Sequence, residues 1–342
     1  MAQHDILSMD DFRFRGLHAA IRMGTASDRY AGWIGQIYSK DRYERRITRR
    51  SHSVGGKSFV EEVLPVDSVR EYFQHFPVLE LDFTFYRPLL EADGGPSQNL
   101  HVLRSYHEHM GEEDRVILKV PQAICARKVQ SGGGYVDNKT YLHAETFTRQ
   151  FYDPAVGLLG HHLSGFIFEQ EYHRKDERFP VDQMARDLDA FFREVPRDNR
   201  YHVELRTEAY LSPPVLEVLE RHGVGQVISH WTWLPPLRRQ LDKSGGRFLN
   251  GGGECVVRLM TPLGMRYEEA YARAHPFDQM VEGMLQPRMV EETARLMEQG
   301  IREGVVMNVI INNRAGGNAP LIARQVAQRF LDLLAEKIDE KE

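Results

Sequence analysis

The sequence predicts an α/β fold, a single TIM-type (β/α)8 barrel, on three observations. Eight short segments rich in β-branched and aromatic residues recur along the chain: IRMGT (21–25), VLELDF (78–83), RVILKV (115–120), GFIFEQ (165–170), HVELR (202–206), GQVIS (225–229), CVVRLM (255–260) and VVMNVII (305–311). Amphipathic runs at helical spacing lie between them. Within the strands, one parity is apolar and the other collects charges. Alternating strands and helices imply a parallel sheet, because each parallel pair needs a crossover. Eight such units are the number that closes a barrel; an open doubly wound sheet is the other arrangement of eight.

The helical runs are DSVREYFQHF, VDQMARDLDAFFREV, SPPVLEVLERHG, PRMVEETARLMEQGIREG and APLIARQVAQRFLDLLAEKI. Asp67 or Ser68, Asp182 and Ser212 suit N-caps, and Gly223, Gly300 and Gly304 suit C-terminal stops. The expected organisation is an N-terminal extension (1–19), the barrel (20–336) with an extended basic loop after the first strand, and a short C-terminal tail (337–342).

Composition bounds the function. The chain has 342 residues, 42% hydrophobic and 27% charged, which is ordinary for a globular protein. A net charge of -5 argues against a globally basic nucleic-acid binder. Cys125 and Cys255 are the only cysteines, so neither a disulfide framework nor a cysteine-based zinc site is supported. The stretch MAQHDILSMDDFRFRGLHAA carries acids where a secretory signal has bases, and no 18-residue apolar run occurs. A soluble cytoplasmic protein without membrane contact is expected.

The parity of LELDFTFYRP (79–88) raises the functional question, because Glu80, Asp82 and Thr84 share one side of a strand whose other side is apolar. In a closed barrel the outward residues pack under helices, while inward residues near the C-terminal mouth can be polar. The same frame turns Val116, Leu118 and Val120 outward and Lys119 inward. It turns Phe166 and Phe168 outward and Glu169 inward, Val203 and Leu205 outward and Glu204 and Arg206 inward, and Val257 and Leu259 outward and Arg258 inward. Four acids and three bases then share one interior: Glu80, Asp82, Glu169 and Glu204 with Lys119, Arg206 and Arg258. Near-balance is what burial of charge demands. A salt-bridged registry network satisfies it too, but the position at the strand ends is where barrel active sites are built.

The segments MGTASDRYAGWIGQIY (23–38), LELDFTFYR (79–87), ILKVP (117–121), VELR (203–206), VVRL (256–259) and IINNRAGGNAP (310–320) resemble, in order and spacing, the YecE-like family, also called domain of unknown function 72. The resemblance runs from about residue 20 to residue 332. It implies a TIM-type barrel and supplies no catalytic residues, since no activity is established for the family. The chain departs from the family pattern at Asp28, where Trp is common, at Asp82, where Asn is usual, and at Met260 and Thr261, where His-Gly is usual.

Beside the charged cluster, Gly316, Gly317 and Asn318 follow the eighth strand and could present backbone amides to an anion at a helix N-terminus, with Arg258 and Arg314 nearby. A Gly-rich turn capped by Asn318 needs no ligand. Lys40, Arg42, Arg45, Arg46, Arg49, Arg50 and Lys57 make the 40–57 loop a possible phosphate or nucleic-acid contact, or a solvated loop. His107 and His109 are two apart and lack a completing cluster, so no metal site is expected from them. A Mg²⁺ or Mn²⁺ site on the four carboxylates is conceivable, but three neighbouring bases count against it.

The reading carried forward is metal-independent, hydrolase-like acid/base chemistry on a small polar or anionic, phosphate- or sugar-containing ligand, with no cofactor. Glu80, Asp82, Glu169 and Glu204 are the catalytic candidates, with Glu204 ionised and Glu169 or Glu80 donating the proton. Tyr30, Trp33, Tyr86, Arg87, Lys119, Arg206, Arg258, Asn312 and Asn313 would bind substrate, and Trp231 is a further stacking candidate. The alternatives are a non-catalytic barrel binding an anion or nucleic acid, and a divalent-metal phosphodiesterase or isomerase.

Overall fold

Each of the eight expected segments forms part of one parallel barrel in the computed structural model, which describes residues 11–131 and 134–339. The barrel strands are β1 (Ile21–Ala26), β4 (Val78–Leu81), β5 (Arg115–Lys119), β8 (Leu163–Glu169), β9 (Tyr201–Glu204), β10 (Gly225–Gln226), β11 (Ile228–His230), β12 (Glu254–Leu259) and β13 (Val306–Ile311). Two antiparallel hairpins lie outside the barrel, β2 (Thr48–Val54) with β3 (Lys57–Val63), and β6 (Lys128–Ser131) with β7 (Gly134–Asp137). Neighbours run β10-β9-β8-β5-β4-β1-β13-β12-β11. β10 and β11 are halves of one strand broken at Val227, one half pairing with β9 and the other with β12, so this sixth of the eight strands closes the ring.

The expected parity holds. Val116, Leu118, Phe166, Phe168, Val203, Leu205, Val257 and Leu259 pack outward in the large core beneath the helices. Val78, Ile117, Ile167, Val256 and Ile310 form a separate apolar plug inside the barrel. Below that plug, Arg22 pairs with Glu254 at 3.0 Å, and Asn308 Nδ2 donates to Glu254 Oε2 at 2.8 Å. Above it sits the charged layer. The interior is thus polar at both ends and dry in the middle, so charges near the mouth are isolated from those at the base.

Five local expectations change. β4 ends at Leu81, and Asp82–Phe85 turns into a 3₁₀ helix, because the Thr84 hydroxyl lies 2.7 Å from the Lys119 carbonyl and 3.0 Å from that of Leu81. Gly300 does not stop its helix; it sits inside Pro287–Glu303, where a Cβ would come within 2.4 Å of the Met307 sulfur. The helix stop is Gly304, in the left-handed conformation. Asp182 lies in the first turn of Val181–Glu194, behind a Pro180 cap position. The described part of the expected extension is integral: Phe14 stacks on Phe76 at 4.6 Å, and Arg15 pairs with Asp114 at 2.7 Å. Residues 1–10 lie outside the described residues. At the other end the last helix runs on through Asp339, with Lys337 paired to Glu298, and residues 340–342 lie outside the described residues.

The expected extended basic loop is instead a short helix (Lys40–Tyr43), a 3₁₀ turn (Glu44–Arg46) and the β2–β3 hairpin. Its bases are largely paired, Arg42 with Glu71, Arg46 with Asp67, Arg49 with Glu62 and Arg50 with Glu61. The last two pairs are direct cross-strand neighbours in the register. Among the described residues, no helix is long and apolar enough to cross a membrane.

Candidate functional site

Arg258, on β12, is fully buried and organises the charged layer. Its Nε donates to Glu80 Oε2 at 2.8 Å and its Nη2 to Glu80 Oε1 at 2.6 Å, a two-point grip on the β4 carboxylate. Its Nη1 donates to Glu169 Oε2 at 3.1 Å and makes a short bond to Glu204 Oε2. Glu169 Oε2 also meets Lys119 Nζ at 2.7 Å and Arg206 Nη2 at 2.8 Å. Three carboxylates therefore balance three cations. Asp82 is not the fourth acid of this cluster, because the 3₁₀ turn carries it off the strand and the Ser27 hydroxyl donates to it at 3.1 Å.

The electrostatics correct the expected proton donor. Burial pushes the Glu169 carboxyl up, but Arg206, Lys119 and Arg258 together outweigh it and hold the group far below the usual carboxylate range. Glu169 is locked as an anion. Burial does raise Glu80, against the pull of Arg258 and Lys119, yet Glu80 is wholly inaccessible and both its oxygens are held by Arg258. Glu204 is equally inaccessible, with Oε1 lacking a hydrogen-bond partner. The paired-carboxylate arrangement is thus a preformed floor: Arg258, Glu80 and Glu204 lie beneath, while Lys119, Glu169 and Arg206 retain a little exposure. Among the described residues, no group of three or more His, Cys, Asp or Glu side chains could hold a metal ion.

Open space lies beside this floor. A cleft of about 1040 Å³ is lined by the segment after β1 (Ser27, Arg29, Tyr30), the β2–β3 hairpin, Asp82 and Tyr86, the helix bearing Tyr267 and Tyr271, and Arg314. None of the six paired residues lines it. Arg314 lies over the Tyr267 ring at 4.6 Å, and its Nε is buried without a hydrogen-bond partner. Arg29 likewise makes no side-chain hydrogen bond or ion pair among the described residues. Tyr86 is 77% exposed at the rim.

Several expected binding residues serve the scaffold. Trp33 is fully buried, its Nε1 donating to Asn313 Oδ1 at 3.1 Å. The same oxygen accepts from Ala319 N, while Asn312 Oδ1 accepts from Arg314 N, so both asparagines hold the turn after β13. Arg87 pairs with Glu91 at 2.7 Å and does not line the cleft. The amides of Gly316 and Gly317 donate to the Asn313 carbonyl, and Asn318 Oδ1 caps the last helix through Leu321 N. No amide of these two glycines is left for an anion. Arg29 is not legible as a site residue in the sequence; its only signal is its place three residues after β1, in the loop that barrels use for ligands. Tyr267 and Tyr271 carried no local signal, since their helix meets the cleft only through the tertiary fold.

Asp28 lies under this cleft, 1% exposed. Burial pushes its carboxyl up to about 6, against the neighbouring Arg29 charge and the Tyr106 hydroxyl, which donates at 2.7 Å; Asp82 adds to the rise. A folded-state value above the unfolded 3.8 means that the native state binds this proton more tightly. Its effect on stability is absent below about pH 4 and grows into a penalty of about 3 kcal/mol as pH rises through 6. His230, which burial lowers to about 4, contributes the opposite slope over pH 4 to 6.5. The difference between wild type and Asp28→Asn isolates the carboxyl: the variant should gain melting temperature relative to wild type from pH 5 to pH 8. Parallel curves would show that Asp28 does not titrate in that range.

Residues 22–340 match the family described as "Protein of unknown function DUF72". The chain belongs to the DUF72 family. A DUF72 family protein of Enterococcus faecalis V583 (EF0366) is 16% identical with a TM-score of 0.56, the alignment covering 91% of this chain and 95% of that one. A DUF72 family protein of Thermotoga maritima MSB8 (TM1631) is 14% identical with a TM-score of 0.50, covering 92% and 99%. At these identities the likeness shows the fold. No curated protein matches the chain.

Proposed function

We propose that this DUF72 barrel binds a small organic anion in the cleft at its C-terminal mouth and that Asp82 exchanges a proton with it. The observation that carries this reading is the pair Arg29 and Arg314. Both line the cleft without a hydrogen-bond or ion-pair partner among the described residues, whereas every cation of the lumen layer is paired. Guanidinium groups left free in a concave, tyrosine-lined wall suit carboxylate or phosphate recognition. Of the four expected catalytic acids, Asp82 alone lines the cleft, and it has no cation within ion-pair distance among the described residues. General acid/base chemistry, hydrolysis included, therefore falls to Asp82 and not to the locked Glu169. The acidic partners of Arg42, Arg46, Arg49 and Arg50 offset the basic character of the 40–57 segment and favour the cleft over a nucleic-acid contact there.

Calorimetric titration with inorganic phosphate tests the reading. Wild type should bind, and Arg29→Gln and Arg314→Gln should each weaken binding roughly 10- to 100-fold, the loss of one charge-assisted bond. Asp82→Asn, which removes a negative charge from the same wall, should tighten it. Wild-type protein that gives neither binding heat nor thermal stabilisation with phosphate would sink the proposal.

A further inference from the structure

Across the mouth from the cleft, three aromatic side chains form a second surface. Tyr172 follows β8, and Trp231 and Trp233 follow β11, which lies four positions around the ring from β4. Tyr172 and Trp233 are stacked, with ring centroids 5.8 Å apart and planes 26° from parallel. Tyr172 also meets Trp231 at 5.8 Å. Trp233 is 41% exposed, one of few large apolar side chains left open to solvent. The Arg206 guanidinium lies over Trp231 at 5.0 Å. Its Nε is buried and makes no hydrogen bond, lying 3.5 Å from Glu204 Oε2.

A continuous run of contacts joins this platform to the cleft. Tyr86 on the cleft wall meets Phe85 at 5.7 Å, and Lys119 Nζ sits 4.0 Å over the Phe85 ring. Lys119 binds Glu169, which binds Arg206, which covers Trp231. The mouth therefore presents an aromatic face at one side, partly exposed charged groups in the middle, and two unpaired arginines at the other side.

We infer that the ligand is an acidic oligosaccharide long enough to cross the mouth, with one sugar ring on the Trp233–Tyr172 platform and a carboxylate or phosphate at its other end on Arg29 and Arg314. The C–H face of a pyranose is apolar and flat enough to cover an exposed aromatic ring, while its hydroxyls need donors and acceptors at the ring edge. Arg206, whose side chain keeps 17% exposure, sets a guanidinium beside the platform. The charged middle suits a hydroxyl-rich ligand and penalises an apolar one, which would leave these groups desolvated and unpaired. This rests on the cleft reading for the anionic end alone; the platform stands on its own contacts.

The test follows tryptophan emission and binding heat with four probes: trigalacturonate, a maltotriose monophosphate, neutral maltotriose and inorganic phosphate. Of the three tryptophans, Trp33 is buried behind the cleft wall with its ring 4.9 Å from Tyr30, so a change in emission is assigned to the platform only where Trp233→Ala removes it. At least one of the two acidic sugars should bind and perturb emission, the uronate and the phosphosugar separating the two sources of charge, and maltotriose should bind at least 10-fold more weakly. Trp233→Ala should weaken the acidic sugar at least 10-fold and leave phosphate affinity unchanged, whereas Arg314→Gln should weaken both. Phosphate binding without binding of either acidic sugar, or an unchanged affinity in Trp233→Ala, overturns the saccharide proposal and leaves the anion cleft standing. Acidic-sugar binding that is lost in Trp233→Ala but indifferent to Arg314→Gln overturns the anion assignment and keeps the platform.

Discussion

Arg258→Met is expected to destabilise the protein by roughly 3–5 kcal/mol, lowering its melting temperature by roughly 4–7 °C. The substitution removes the only cation bonded to Glu80 among the described residues, and it takes one of the partners of Glu169 and Glu204. All three carboxylates are buried, so the uncompensated charge has no water to turn to. Glu169 keeps Lys119 and Arg206, which singles out Glu80 as the group left stranded. Adding Glu80→Gln to Arg258→Met should therefore recover more stability than the same change does in the wild-type background. Thermal melts of the four proteins of this cycle give the coupling directly. An Arg258→Met protein that melts with wild type would mean that the layer is not closed as described.

Gly317→Ala is the second large effect, at about 3 kcal/mol or more from combined backbone strain and overpacking. Gly317 has φ +114°, and a Cβ there would stand 2.3 Å from the Gln279 carbonyl oxygen and 2.8 Å from Val281 N. Backbone atoms cannot swing aside as a side-chain tip can. Gly316→Ala is the control, since its Cβ would meet the movable ends of Ile322 at 3.1 Å and Met280 at 3.2 Å. Urea midpoints should fall steeply for the first variant and slightly for the second. If Gly317→Ala kept the wild-type midpoint and lost phosphate binding instead, the turn would be an anion cradle after all.

Much of the architecture was legible because period-two patterning is a local property. Glu80, Lys119, Glu169, Glu204, Arg206 and Arg258 could be assigned to one interior from parity alone, each flanked by residues that must face helices. Asp82 failed the same test for a tertiary reason: the Thr84 hydroxyl, two residues on, turns the chain off the strand by donating to the Lys119 carbonyl of the neighbouring strand. The pairing of the basic stretch was not legible, because its partners Glu61 and Glu62 are adjacent only once the hairpin register is set.

What the sequence determined by itself is the barrel, the count of its strands and six of the seven charges expected in its interior, since these follow from the alternation of apolar and polar side chains along short segments. Which cations are consumed and which remain free was decided only in three dimensions. Arg258 and Arg314 look alike in the sequence, yet one is held by three carboxylates and the other has none within ion-pair distance among the described residues. Ion pairing depends on distances of a few ångströms between strands far apart in the chain, and closure of the ring is what sets those distances.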